Sequence, residues 1–565
     1  MQNCAPVHRL RHLSSVAGTA IVLAVGAVST TAHAAGASCA NFAPPMQQIA
    51  GHMVGVTQCD IASETKVANT RGKPFVRVEI AISGSVYGYI PPATVGITRL
   101  DVTDYPQALY TQFGVTNWVG GVAKYNGGND AKGSGLTLIY PDPASGTPWN
   151  GKVYFVVHGS GNNSPLGDLV PVGKDGFNEK TFANLYARQM MDKGYAVIYA
   201  RRPGSYTKPV IKATLDDGKS TVMDGNIGDH VGMMLDFYKI GKAIITDRLG
   251  KAPTASYWYG HSGGVILGRL VNYFGGNWDE NGKRRFDGFF SDDPGGGFMM
   301  PVLLGKDEVF GEKDGRATYN PGDVLFGTPE LKAKFTKEIT ISHGAYLASH
   351  DWIPTVLYPT LKRQAALIMH ERGLDNMAVM YEVAGVSHIP NTVGSSEKTL
   401  DLGPLADGLI DLLDNWVQHD VPPPATIANL AALGIGGSYA AEHTQSLELP
   451  PIACPTGVRY FYGPPPKGGP TATGYAAFDG KSLEPVNSRG NLVDVNGDGY
   501  RDTMPTIDQA WVDRGLIVAG ETVDASKYAA CIENSTRFLV EKRLISQASA
   551  DWYNAQAKNY PNVPW

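Results

Sequence analysis

Residues 257–270 read YWYGHSGGVILGRL, and on them the fold turns. Their centre, Gly260-His261-Ser262-Gly263-Gly264, fits G-x-S-x-G, the sharp turn that leaves a serine exposed where a strand passes into a helix. Gly is common in this chain (67 of 565 residues), so the pentapeptide recurs too easily by chance to carry a fold alone. Its surroundings decide. Residues 255–260 (ASYWYG) read as a short strand, and 264–274 (GVILGRLVNYF) as a helix. Glycines on both sides are what such a turn demands, because backbones approach there more closely than a Cβ allows.

Working outward, 151–161 (GKVYFVVHGSG) is a buried strand that ends in a Gly-rich turn. Residues 180–194 read as a helix capped by Gly194, 195–200 (YAVIYA) as another buried strand, and 227–250 as a helix. Beyond the turn, strands are expected at 286–293, 337–347 and 377–385. Strands alternating with helices specify an α/β fold with a parallel sheet covered on both faces. Leu405, Leu409, Leu412 and Trp416 then share one helical face, and the prolines at 422–424 end that helix.

In this order of elements the chain resembles the α/β-hydrolase superfamily over roughly 150–420, in the manner of a secreted bacterial-type serine esterase. The resemblance implies Ser262 as nucleophile. It implies an oxyanion hole from the backbone N–H of Gly263 and of Gly159 or Ser160, in the VVHGSGN loop. His388, in YEVAGVSHIPN just after the last strand, becomes the base. Asp351, after the penultimate strand and 37 residues before His388, becomes the acid that orients it. Asp375 is its rival, and Asp292 and Asp293 are a third choice. The implied activity is cleavage of carboxylic esters, small or polymeric, through an acyl-enzyme, with no cofactor required. A peptidase or amidase using the same triad is the alternative, and a non-catalytic, calcium-dependent surface-binding protein a third reading. No His/Glu spacing of the H-E-x-x-H kind points to a catalytic zinc.

The rest of the chain divides by texture. Residues 1–34 read as a signal peptide: Arg9 and Arg11, an apolar run over 16–28, and Ala32-His33-Ala34 as a cleavage site. That run is too short to span a bilayer, and the expected location is secreted or periplasmic. Residues 35–135 read as a β-rich N-terminal extension, 136–424 as the hydrolase domain with a cap-like insert at about 294–336, and 425–565 as a C-terminal addition. Cys39, Cys59, Cys454 and Cys531 remain after signal removal, and proximity in sequence favours the pairs 39–59 and 454–531. In DVNGDGYRD, the oxygens of Asp494, Asn496, Asp498, Tyr500 (carbonyl) and Asp502 take positions 1, 3, 5, 7 and 9 of a calcium loop. Position 12 is Pro505, so the loop is no complete EF-hand, and any calcium in it is expected to be structural. A net charge of −5 gives no electrostatic case for nucleic acid. Oligomeric state is not legible.

Overall fold

The computed structural model describes residues 37–49, 52–68, 73–90, 97–102, 119–127, 133–157, 186–201, 210–215, 220–224, 230–261, 263–273, 276–279, 281–293, 312–313, 316–317, 335–343, 357–371, 373–386, 400–462, 472–481 and 503–565. Nine strands carry the argument. They are β1 (His52–Ala68), β2 (Pro74–Ile90), β3 (Gly135–Pro141), β4 (Lys152–Val157), β5 (Ala196–Arg201), β6 (Ala255–His261), β7 (Gly288–Asp292), β8 (Glu338–His343) and β9 (Ala378–Val383). They lie in one sheet in the order β1-β2-β3-β5-β4-β6-β7-β8-β9. From β5 to β9 all neighbours are parallel, whereas β3 runs antiparallel to both β2 and β5.

The expected strands and helices of the central region are present. Helix α2 spans His230–Leu249, α3 Gly263–Tyr273, α4 Leu357–Glu371 and α5 Gly403–His419. Of the helix expected over 180–194, α1 covers Ala187–Asp192, and residues 180–185 lie outside the described ones. Gly194 follows it at φ 83°, a left-handed conformation that glycine adopts without the Cβ clash.

Strand β3, GLTLIYP, had no sequence reading as a strand. All seven of its residues are buried, so it lacks the alternation that marks a half-exposed strand. The N-terminal β-rich region joins the same sheet through the two 17-residue strands β1 and β2, with Cys39–Cys59 (Cα–Cα 5.0 Å) tying the chain before β1 to it. The β-rich stretch expected over 35–135 is divided between two sheets. Ile97–Val102 pairs instead with Val210–Leu215, in a separate three-stranded sheet completed by Ser220–Asp224.

Period-two alternation sorts side chains to two faces. On one, Val153, Phe155, Trp258 and Phe289 pack against α2, α3 and α4 through Met233, Phe237, Leu267, Val271 and Met369. On the other, Tyr154, Tyr257, Tyr259, Phe290, Ile339 and Tyr381 pack against α5 through Leu405, Leu409, Leu412 and Trp416. That second core continues into the C-terminal helices α6 (Ile507–Asp513), α7 (Ala525–Glu541) and α8 (Gln547–Ala557), through Trp511, Tyr528 and Tyr553. Beyond β9 the chain adds two further bridges, Tyr381 with Ile427 and Val383 with Leu447. The second expected disulfide, Cys454–Cys531 (Cα–Cα 6.0 Å), fastens the short helix Pro450–Ala453 to α7.

Candidate active site

Strand β6 ends at His261 and helix α3 begins at Gly263, so one residue, Ser262, separates strand from helix. Ser262 itself lies outside the described residues. The turn around it is tight. A Cβ on Gly260 would sit 2.5 Å from the Gly264 carbonyl carbon and oxygen and 2.7 Å from the Val265 nitrogen. One turn on, a Cβ on Gly268 would meet the Trp258 indole nitrogen at 2.5 Å. That indole N–H donates to the Gly264 carbonyl (3.2 Å), so α3 rests directly on the strand it follows. This close approach is the physical content of the glycine pattern. Gly263 opens an 11-residue helix, where backbone N–H groups lack intrahelical acceptors and the helix dipole is positive.

The register brings the loop-bearing ends together. Val157 lies opposite Gly260, His261 opposite Asp292, and Asp292 opposite Ile341, while β8 and β9 end together at His343 and Val383. Loops holding Gly159 and Ser160, Asp351, and His388 therefore leave from the sheet edge where β6 ends. Those four residues lie outside the described ones. The stretch expected to be a calcium loop, Asp494 to Asp502, and residues 1–34, expected to be a signal sequence, also lie outside the described residues. Of the insert, only the paired dipeptides Glu312–Lys313 and Arg316–Ala317 and residues 335–336 are described.

The rival acids fare differently. Asp375 precedes β9, so roughly 20 Å of extended chain, at about 3.3 Å per residue, separates it from the edge where β6 ends. It is half exposed, and its carboxylate is engaged by His370 Nδ1 (2.8 Å), whose ring stacks on Tyr439 at 3.4 Å. Asp375 is thus a surface partner of His370, on the wrong edge for a triad. Asp293 is fully buried, and its carboxylate takes an ion pair from the equally buried Lys362 of α4. Asp292 is also fully buried and accepts a hydrogen bond from the Tyr259 hydroxyl (2.8 Å). Burial, then the charge of Asp292, pushes the Tyr259 phenol well above its usual range, so Tyr259 stays a donor.

Three buried cations among the described residues escaped the sequence reading: Arg201, paired with Glu79 (3.0 Å), Arg269 and Lys362. Arg269, on α3, donates to Glu338 Oε1 (2.8 Å) and to the Thr340 hydroxyl (2.9 Å) of β8. Lys362 lies on α4 with Ala365, Ala366 and Met369 three, four and seven residues on, an apolar face that gives the one clue to its burial.

No family model and no curated protein matches the sequence. Solved structures do align. An esterase B from Lactobacillus rhamnosis bound to a tributyrin phosphonate is 12% identical, covering 51% of this chain and 82% of its own, with a TM-score of 0.30. A fungal esterase from Rhizomucor miehei gives 13%, 56%, 84% and 0.30, and carboxyl esterase 2 from Tuber melanosporum 14%, 45%, 73% and 0.27. The fold is read from the sheet itself. With six parallel strands, one reversed strand before them, helices on both faces and a glycine-packed strand–helix turn at the end of β6, the chain has the α/β-hydrolase fold.

Proposed function

We propose that the protein is a serine hydrolase that cleaves carboxylic esters through an acyl-enzyme, with Ser262 as nucleophile, His388 as base and Asp351 as acid. The observation that carries this reading is the contact of Gly260 with Gly264 and Val265, closer than any Cβ permits, at a turn one residue long. Such a turn exposes its central side chain and aims the first N–H groups of α3 at whatever that side chain attacks. His388 takes the Ser262 proton as the hydroxyl adds to the ester carbonyl. The Gly263 N–H, with that of Gly159 or Ser160, holds the oxyanion. The imidazolium returns its proton to the departing alcohol, and water repeats the sequence to release the acid.

Asp292 is the second reading for the acid, favoured by its complete burial at the end of the strand beside β6. Ester over amide is the preferred chemistry, since amidase action would use the same groups. Export from the cytosol accords with the two disulfides. A structural calcium at Asp494, Asn496, Asp498, Tyr500 and Asp502 belongs to the same proposal, outside the chemical step.

The test is stoichiometric reaction with an alkyl fluorophosphonate, followed by peptide mapping. An adduct on Ser262 that is lost in Asp351→Asn and kept in Asp292→Asn supports the triad as written. The converse loss moves the acid to Asp292, and absence of any adduct from folded protein removes the hydrolase reading. An ester and amide panel then separates esterase from amidase.

A further inference from the structure

We infer that the buried Lys362–Asp293 ion pair is a positioning device for the elbow, locking α4 to the sheet edge on which Ser262 stands. The inference rests on the serine-hydrolase reading and adds two residues to it. Asp293 is the first residue past β7, and its neighbour Asp292 lies opposite His261, which immediately precedes Ser262. Its N–H donates to the Ile341 carbonyl of β8 (2.8 Å), and its φ of 45° lies in the left-handed region, which Asp visits more readily than most residues. Backbone held in this region persists where the surroundings over-determine it. The surroundings here are β8 on one side and Lys362 on the other.

Lys362 and Asp293 are both fully buried, with no solvent contact for either side chain. Stability does not explain such a pair. Taking two charges out of water costs several kcal/mol per ion, and apolar residues of similar volume often do as well or better. What an ion pair supplies is one geometry. Apolar side chains slide past each other at little cost, whereas an ammonium held by a carboxylate in the interior has a single place to be.

Arg269 repeats the device from the elbow helix itself, through Glu338 and Thr340 of β8. Both cations line one small cavity between α3, α4 and the sheet, together with Thr340. The elbow helix and its neighbour are thus each pinned by a buried charge to adjacent strands, Lys362 where β7 ends and Arg269 near the start of β8. Catalytic groups displaced by about 1 Å lose on the order of a hundredfold in rate, so register at this edge is a kinetic quantity.

The experiment uses the full chain and a p-nitrophenyl ester. Lys362→Met takes the ammonium from a fully buried carboxylate and lowers Tm. Lys362→Met/Asp293→Asn removes both charges while keeping a residue that tolerates the left-handed backbone, and it recovers Tm relative to the single variant. Its kcat stays depressed by about tenfold or more, KM remains within about twofold, and fluorophosphonate labelling slows in parallel. Lys362→Arg, which keeps the pair, restores kcat toward wild type. A double variant with wild-type kcat and labelling overturns the inference. Should the double variant not fold, Asp293→Asn alone decides: unchanged kcat overturns the inference, and a fall at constant KM supports it. Failure of the underlying reading looks different, because wild-type protein would then neither turn over esters nor label.

Discussion

At the scale of single residues, the tight strand–helix turn after β6 was legible and the buried charges were not, for the same physical reason. A G-x-S-x-G turn is a local demand on backbone space, so it is written into five consecutive letters. Gly260 shows how strict that demand is. Gly260→Ala would force its methyl group to within 2.5 Å of the Gly264 carbonyl, where no flexible side chain can move away. Such overpacking is expected to cost about 1–3 kcal/mol, as α3 lifts from β6. Labelling of the serine should fall by far more than stability does, which urea unfolding beside phosphonate kinetics would resolve. Wild-type values for both would mean that the close approach is dispensable. Lys362 and Arg269, by contrast, belong to a residue type that is mostly exposed, and their partners lie 69 residues away. Sequence order already favoured Asp351 over Asp375, which precedes the last strand. The choice depends on which edge of the sheet each loop leaves from, and the structure puts Asp375 on the far edge.

At the scale of elements, helical periodicity and short apolar runs bounded by turn residues recovered the central helices and strands, including the fully buried β5, β6, β7 and β9, but missed one strand of the sheet. Helix α2 was expected over 227–250 and spans His230–Leu249, whereas the fully buried β3 went unread. Helix α2 also carries a cost that its sequence does not reveal. Asp236 lies on it with a fifth of its side chain exposed, and burial raises its pKa despite Lys239 on the next turn, which lowers it. A carboxyl whose folded pKa exceeds its unfolded value, near 3.9, holds its proton longer in the folded state. Between those two values the folded chain binds more protons than the unfolded one, so the contribution of Asp236 to stability declines as pH rises through that window. Asp236→Asn removes this decline. The variant should gain stability relative to wild type between pH 4 and pH 7, with the difference shrinking as pH falls below about 4. Unfolding free energies at the two pH values check it, and a difference independent of pH would show that Asp236 ionises as freely folded as unfolded.

At the scale of the whole molecule, texture suggested a chain that closes at 424 and then begins something separate, yet the physical boundary is far less sharp. Cores that cross such a divide cannot be read from composition, because they are made by contacts between distant segments. Helix α5 is covered by the C-terminal helices: a Cβ on Gly408 would meet the Leu544 carbonyl oxygen at 2.2 Å, and Leu409, Trp416, Tyr528 and Tyr553 share one hydrophobic cluster. Trp565 sits in that cluster too, its indole donating to the Tyr528 hydroxyl (3.0 Å). The same region pairs with β9 through Ile427 and Leu447, with Ala384 and Glu382 N–H groups donating to the Leu447 and Ile427 carbonyls. Removing 425–565 would therefore do two things at once. It would bare the outer face of α5, and it would leave β9 as an open edge with unpaired backbone groups, a template for pairing with another chain. We expect the truncated protein to associate or precipitate even though the proposed Ser262, Asp351 and His388 all remain. A milder variant, Cys454→Ser/Cys531→Ser, opens a link across 77 residues and should lower stability by about 2–5 kcal/mol while the region stays docked. Light scattering and phosphonate labelling of the two proteins side by side give the answer. A monodisperse truncation that labels at the wild-type rate would show that 425–565 is a separable module, and that the edge of β9 needs no cover.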